Sequence, residues 1–386
     1  MKVLQVLEAT TGGTRRHLSD VVLNLDRDRF EVTVLCANLR DPGFMHDVEI
    51  LRARGVDVRI VRMVREIHPL IDARALAQVR RHVRAGGYDV VHTHSSKAGI
   101  LGRVAAYRAG VPAVVHTPHA FAFQMRTGVL RHLLYVLAER WAARLAGRIV
   151  CVCASEREEA LRHRIAPPEK IVVIENAIDF TAFRARYDSV DREAARRAFD
   201  LGSDEIVVGM AARYTEQKGH DILVRAAARL PHSLPFRLLL PGSGRCKAAV
   251  QARIRRMGLA ERCFVTEALD DPVPFYAAID VFVMPSLWEG LPYSLLDVMA
   301  AGKPIVASGI GGIADTLEDE RTGLLVPAGD TAALAEALAR VLGEPGLSGR
   351  LGAAAHQAAR RRHSLKDMIG KLEALYETMY DPLPVG

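Results

Sequence analysis

The sequence predicts an α/β protein of two doubly wound, Rossmann-like domains, each a parallel sheet with its ligand crevice at the carboxyl ends of the strands. Three observations carry that expectation. Short β-branched and aliphatic runs alternate with helical stretches along all 386 residues. The runs form two series, at 2–7, 31–36, 57–61, 89–92, 113–116, 149–153 and 171–174, then at 206–210, 237–241, 263–266, 281–284, 305–307 and 324–326. The 49% hydrophobic content is enough for two cores. The boundary is expected within 174–183, with 184–197 as a charged linker, giving domains 1–178 and 179–362 and a terminal segment 363–386.

Composition narrows the partners. A net charge of +7 and a pI near 9.3 suit anionic nucleotides or anionic lipid. Nucleic acid is not expected, because no helix-turn-helix, zinc or ribonucleoprotein pattern is present and 6% aromatics offers few stacking platforms. Cys36, Cys151, Cys153, Cys246 and Cys263 have no metal or redox spacing and are expected as thiols in a reducing cytosol. No apolar run approaches the ~18 residues of a transmembrane helix. The opening run, MKVLQVL, reaches Glu8 too soon for a signal peptide and reads as the first strand.

In chain order, that strand is followed by TTGGTRRH at 10–17. Gly12 and Gly13 at a strand-to-helix turn allow a phosphate or sugar close to the backbone, or simply make a tight turn. The segments HTHSSKAGILG at 92–102 and HTPHAF at 116–121 follow apolar strands and are expected on carboxyl-end loops; without an acid or cysteine nearby, no metal site is expected there. The next helix, 129–147, places Leu130, Leu133, Leu134, Leu137, Trp141 and Leu145 on one stripe, with Arg140 and Arg144 near its C-terminal end. Core packing is the first reading of that stripe, and contact with anionic lipid is the second.

The second domain opens with MAARYTEQKG at 210–219. Arg213 and Lys218 on one loop can neutralise a diphosphate, the first as a planar fork and the second as a point charge, although a solvated loop is the plainer reading. Gly242 and Gly244 form a second glycine pair beyond a strand, and Gly311 and Gly312 a third, expected on a loop closing over a ligand. Between them, 281–284 and 305–307 flank a helix with Pro292 expected as its first residue and Gly302 just past its end. Glu289, Gly290 and Leu291 precede that helix, whose N-terminus suits phosphate. Asp297 stands five residues inside, so the two acids bracket a diphosphate and grip hydroxyls on either side of it. The segment 345–349 reads as a loop, and 364–379 as an amphipathic helix.

Residues 289–308 comprise a Glu, seven residues, a second acid, then small residues, Gly-x-Pro and an apolar run, and they resemble the signature of the family 4 retaining glycosyltransferases of the GT-B fold. Arg213-x4-Lys218-Gly219, the element from Gly12 to His17 and the interdomain run IENAID at 174–179 resemble further elements of that family. Asp297 replaces the usual Glu, Ala177 a Gly, Ser243 an acid, and Glu267 stands where Gly is common.

The resemblance implies two domains facing across a crevice, acceptor-side first and nucleotide-sugar-side second, with the last helix crossing back to the first. It implies sugar transfer from a UDP- or GDP-sugar to an acceptor hydroxyl by front-face attack with retention, in bacterial polysaccharide or glycolipid assembly. His119, Glu289, Arg213 and Lys218 would be catalytic. Gly12, Gly13, Gly242, Gly244, Gly290, Leu291, Pro292, Asp297, Gly311 and Gly312 would bind the donor. Arg16, His17 and Lys97 would lie on the acceptor side. No cofactor or metal is implied. The partners would be a nucleotide sugar and a sugar or lipid-linked saccharide, and the place cytoplasmic, at the inner face of the membrane. The alternatives are an epimerase or phosphorylase of the same fold, or a non-catalytic sugar-nucleotide-binding subunit.

Overall fold

The computed structural model describes residues 1–41, 43–125, 128–231, 233–344 and 346–380. It divides into two compact units, Met1–Asn176 with the segment from Leu365, and Ala177–Ser364. In the first unit β1 (Lys2–Leu7), β2 (Glu31–Cys36), β3 (Asp57–Ile60), β4 (Val90–His94), β5 (Ala113–Thr117), β6 (Arg148–Cys151) and β7 (Ile171–Val173) form one parallel sheet in the order β3-β2-β1-β4-β5-β6-β7. Central β1 pairs on both sides, Val3 with Val32 of β2 and with Val90 of β4. Beyond Lys2 it is buried on both faces. Leu4 and Val6 join one core layer with Val79 and Ala105, whereas Leu7 joins another with Leu18 and Val22.

The second unit contains β8 (Val207–Gly209), β9 (Arg237–Pro241), β10 (Cys263–Thr266), β11 (Val281–Met284), β12 (Ile305–Ser308) and β13 (Leu324–Val326), again parallel, in the order β10-β9-β8-β11-β12-β13. The order reverses beside β1 and β8. Loops leaving β1 and β4, and those leaving β8 and β11, depart towards opposite faces there, which opens a crevice at each carboxyl edge.

Five expectations need correction or sharpening. The charged segment 184–197 is no linker: helices Phe180–Asp188 and Arg192–Arg197 are capped by Asp179 and Asp191, and Arg196 is buried against the carbonyls of Ala278, Gly202 and Glu205. A guanidinium can be buried when backbone oxygens fill its donor sites. In 345–349, Pro345 lies outside the described residues, and a helix begins at Leu347, following Gly346 in the left-handed region. His92, His94 and His116 sit on β4 and β5 and not on loops, and all three are buried.

The terminal helix Leu365–Tyr380 is part of the first unit: Glu373 accepts from Asp26 N at 2.8 Å and pairs with Arg29 at 3.0 Å, and Tyr376 is fully buried. The helix Val129–Ala143 turns its leucine stripe outward. Leu130, Leu133, Leu134, Leu137 and Trp141 are 48–73% exposed, while Val136, Glu139, Ala142 and Ala143 face inward. The inward face is set by Glu139, which pairs with the fully buried Arg103 at 2.8 Å. Helical spacing identifies a stripe, and tertiary partners decide which way it points. Among the described residues no helix is long and apolar enough to cross a membrane, and none of the five cysteines is in a disulfide, Cys246 and Cys263 being only partly buried.

Candidate active site

In the second unit the loops after β8 and β11 lock together. Gly219 takes φ 76°, and a Cβ there would lie 2.1 Å from the Pro285 carbonyl oxygen, so only glycine admits this backbone contact. Leu287 N donates to Gln217 O at 2.7 Å, and Gln217 Nε2 donates to Trp288 O at 2.8 Å. These bonds bring Lys218 Nζ to 2.5 Å from Glu289 Oε1, a carboxylate 8% exposed. Arg213 stands exposed on the same β8 loop. The outcome is one cation compensated by an acid, on the crevice edge of the sheet, with a second cation close in sequence.

Behind Glu289 the helix Tyr293–Ala301 points its N-terminus at the loop. Pro292 is the residue before it and not its first, because its ψ of 133° is extended; Gly302 ends the helix at φ 71°. Gly290 and Leu291 complete the entrance, Leu291 being buried. Asp297 is 3% exposed. Ser286, two residues after β11, is fully buried, and its hydroxyl has no hydrogen-bond partner among the described residues.

The other glycines brace this entrance. Gly311 and Gly312 begin a short helix, Gly311–Thr316, and not a loop; Gly312 N donates to Gly290 O at 3.0 Å, and a Cβ on Gly312 would sit 2.4 Å from that oxygen. Gly312→Ala is therefore expected to shift the Glu289 loop, lowering activity at least ~10-fold while the melting temperature falls by only a few degrees. Steady-state kinetics and a thermal melt check this. Gly242 and Gly244 abut the backbone of Ala212 and Tyr214 in the same way, with would-be Cβ contacts of 2.1 and 2.6 Å, so they support the Arg213 loop.

In the first unit Gly12 and Gly13 form the exposed first turn of the helix Gly12–Asn24 directly behind β1, with open space about Gly12 at φ 58°. One turn further, His17 faces inward to a cluster: His94 Nδ1 lies 3.1 Å from His119 Nε2, and the His17 ring packs edge-on at 4.6 Å from His119. The outer nitrogens are held, His94 Nε2 by Gln5 Oε1 at 2.7 Å and His17 Nδ1 by Asn176 Oδ1 at 3.0 Å. Burial pushes His17 down to about 4, and burial with the neighbouring imidazoles holds His92, His94 and His119 well below the usual histidine value. These rings are neutral at pH 7. Ring nitrogens of His17, His94 and His119 lie within 4.8 Å of one another, so this group has the donors for a divalent ion, although HxH alone gave no sign of it.

His119 and Ala120 both adopt left-handed backbone, φ 54° and 74°. Glu156 holds that turn: it is buried, accepts from Ala120 N at 2.6 Å and from Val152 N at 2.7 Å, and burial raises its carboxyl to about 7. Tyr376 reaches the same network, its hydroxyl 2.6 Å from His92 Nδ1 and 3.1 Å from Gln5 Nε2. Sequence reasoning missed Gln5, Glu156, Gln217 and Tyr376. Only Gln5 carried a signal, as the one polar residue inside an apolar strand. Lys97 is bound by Asp72 at 2.6 Å and by Glu66 O at 2.8 Å, and Arg16 lies 3.6 Å from Asp20.

The chain is similar to known glycosyltransferases. A family model described as a glycosyl transferase 4-like domain matches residues 12–177, and one described as glycosyl transferases group 1 matches 205–344. The UDP-Gal:alpha-D-GlcNAc-diphosphoundecaprenol alpha-1,3-galactosyltransferase of Escherichia coli is 30% identical over 347 residues, 88% of this chain and 86% of that protein. A D-inositol 3-phosphate glycosyltransferase of Streptomyces scabiei (strain 87.22) is 33% identical over 290 residues, 70% of this chain and 64% of that one. Anabaena HepE in complex with UDP-glucose superposes with a TM-score of 0.81 at 20% identity, covering 98% of this chain and all of that one. WaaG, a glycosyltransferase involved in lipopolysaccharide biosynthesis, gives 0.76 at 16% identity, covering 99% of this chain and all of that one.

Proposed function

Because the chain belongs to the family 4 type glycosyltransferases of the GT-B fold, which transfer sugars in glycolipid or polysaccharide assembly, we propose a specific reaction for it. A hexose passes from a UDP-sugar to a hydroxyl of a lipid-linked saccharide, with retention at the anomeric carbon, without a metal, at the inner face of the membrane. The Lys218–Glu289 pair at the edge of β8 and β11 carries this reading.

Departure of the nucleoside diphosphate builds positive charge on the sugar and negative charge on the leaving phosphate. Lys218, Arg213 and the N–H groups opening the Tyr293–Ala301 helix stabilise the anion, a role a divalent cation would otherwise fill. Glu289, held in place by Lys218, keeps an oxygen for a sugar hydroxyl, and Asp297 takes the ribose. In the first unit, neutral His119 has a ring nitrogen suited to a sugar hydroxyl and carries no positive charge of its own. The acceptor oxygen bonds to the anomeric carbon on the face from which the diphosphate oxygen departs, so no carboxylate nucleophile is needed, and its proton passes to that departing phosphate oxygen, so no protein base is needed.

Thermal-shift measurements with UDP, GDP and their sugars test the donor: UDP compounds are expected to raise the melting temperature. A shift with GDP compounds and none with UDP overturns the nucleotide assignment. Turnover is expected to survive EDTA, and the anomeric coupling in the product's NMR spectrum to match that of the donor. Loss of activity on chelation, restored by one metal, would place an ion in the mechanism and point to His17, His94 and His119 as its holders.

A further inference from the structure

We propose that the helix Val129–Ala143, with the arginine cleft at its C-terminal end, is the surface by which the protein lies on an anionic bilayer. The proposal extends the lipid-linked acceptor reading by naming the surface that would hold the enzyme to the bilayer. Leu130, Leu133, Leu134, Leu137 and Trp141 project from one side of the helix at 48–73% exposure. At ~1.5 Å per residue the helix is too short to span ~30 Å of hydrocarbon, but it suits an orientation in the plane of the interface. Tryptophan favours that depth, with its ring in the apolar boundary and its N–H near the headgroups.

Charge selects the occupant. The acid of this helix, Glu139, is buried against Arg103, so its exposed charges are those of Arg131 and Arg144. At its end Arg140, Arg144 and Arg164 line an open cleft with Ile165 and Pro167. Arg140 Nε is anchored to His163 O at 2.8 Å. Glu159 beside the cleft is engaged by Arg162, and Glu158 and Glu169 are exposed acids close in sequence to the lining residues. Guanidinium groups remain charged at every working pH and grip phosphate oxygens in pairs, while the apolar residues between them suit the glycerol and upper acyl carbons of a lipid. A leucine stripe flanked by arginines fits a phospholipid surface better than it fits a polar protein face.

Co-sedimentation of the full chain with phosphatidylcholine vesicles, and with the same vesicles containing phosphatidylglycerol, tests this. Binding to the phosphatidylglycerol vesicles is expected to exceed that to phosphatidylcholine alone by at least tenfold and to weaken with salt. L134E/L137E is expected to lose that binding by at least tenfold. Its melting temperature and its turnover of a water-soluble acceptor analogue should be unchanged, since both leucines are outward. R144E/R164E should lose the preference for phosphatidylglycerol. Equal binding by wild type and L134E/L137E overturns the proposal. So does concentration-dependent self-association that L134E/L137E abolishes in a protein that ignores vesicles, which would make this face a contact between copies. Absence of turnover by a wild type that binds vesicles would count against the transferase reading alone.

Discussion

Lys218→Ala and Glu289→Ala are each expected to lower kcat by about 10²- to 10³-fold, the scale on which a preorganised charge at a transition state acts. The two losses should not add. Each substitution removes half of a pair only 2.5 Å apart, so the double variant is expected to be no worse than ten times the poorer single one. The stability cost separates the residues. Lys218→Ala strands Glu289, 8% exposed, without its cation and is expected to cost about 1–3 kcal/mol, whereas Glu289→Ala leaves a cation whose side chain is 20% exposed and able to find water. Kinetics and thermal melts on the two single variants and the double variant measure both effects. Full activity in either single variant would sink the assignment of this pair as catalytic.

Acid should unfold the first unit early. His17 falls from 6.5 to about 4 on folding, and burial does most of this. Between those values the unfolded chain takes a proton that the folded chain refuses, so the stabilisation is complete above pH 6.5 and is lost as pH falls through the folded value. At ~1.4 kcal/mol per unit the His17 share alone is roughly 3 kcal/mol. His92, His94, His116 and His119, also held low by burial, act in the same sense. Glu156 opposes them. Its carboxyl rises from 4.5 to about 7, so its contribution is full below 4.5 and is lost as pH rises through 7. One carboxyl is outweighed by five imidazoles, and the melting temperature is expected to drop by about 10 °C or more from pH 7 to pH 5. A melting temperature constant over that range would mean that folding leaves the net proton uptake unchanged, so that these imidazoles titrate in the folded protein as they do in the unfolded chain.

The two candidate neighbourhoods were legible to different degrees. Gly219, Gly290 and the pair Arg213 and Lys218 could be placed on short segments leaving strands from the local sequence, although spacing alone favoured a solvated loop for the two cations and only the resemblance assigned them a diphosphate. The ion pair between Lys218 and Glu289 could not, since it joins positions 71 apart and depends on β8 lying next to β11. His119 was singled out from the sequence, and the structure places it in the histidine cluster, but its neighbours Gln5, Glu156 and Tyr376 were not singled out. They come from three distant places in the chain, and their roles exist only because buried polar groups must find partners once water is excluded.

What the sequence by itself determined was the two parallel sheets and nearly every strand, which follow from periodicity and turn residues and are local, and the family, which follows from the resemblance of its motifs. Tertiary structure decided direction and partnership. Glu139, by pairing with buried Arg103, turned a leucine stripe that spacing alone would assign to the core out to the surface. Carbonyl oxygens from two separate segments, Gly202 and Glu205 on one and Ala278 on the other, converted a charged run into a packed one around Arg196. Three neutral histidines converged because β1, β4 and the turn after β5 end side by side. Each of these outcomes rests on charge or hydrogen-bond satisfaction over long sequence separation, which no local pattern encodes.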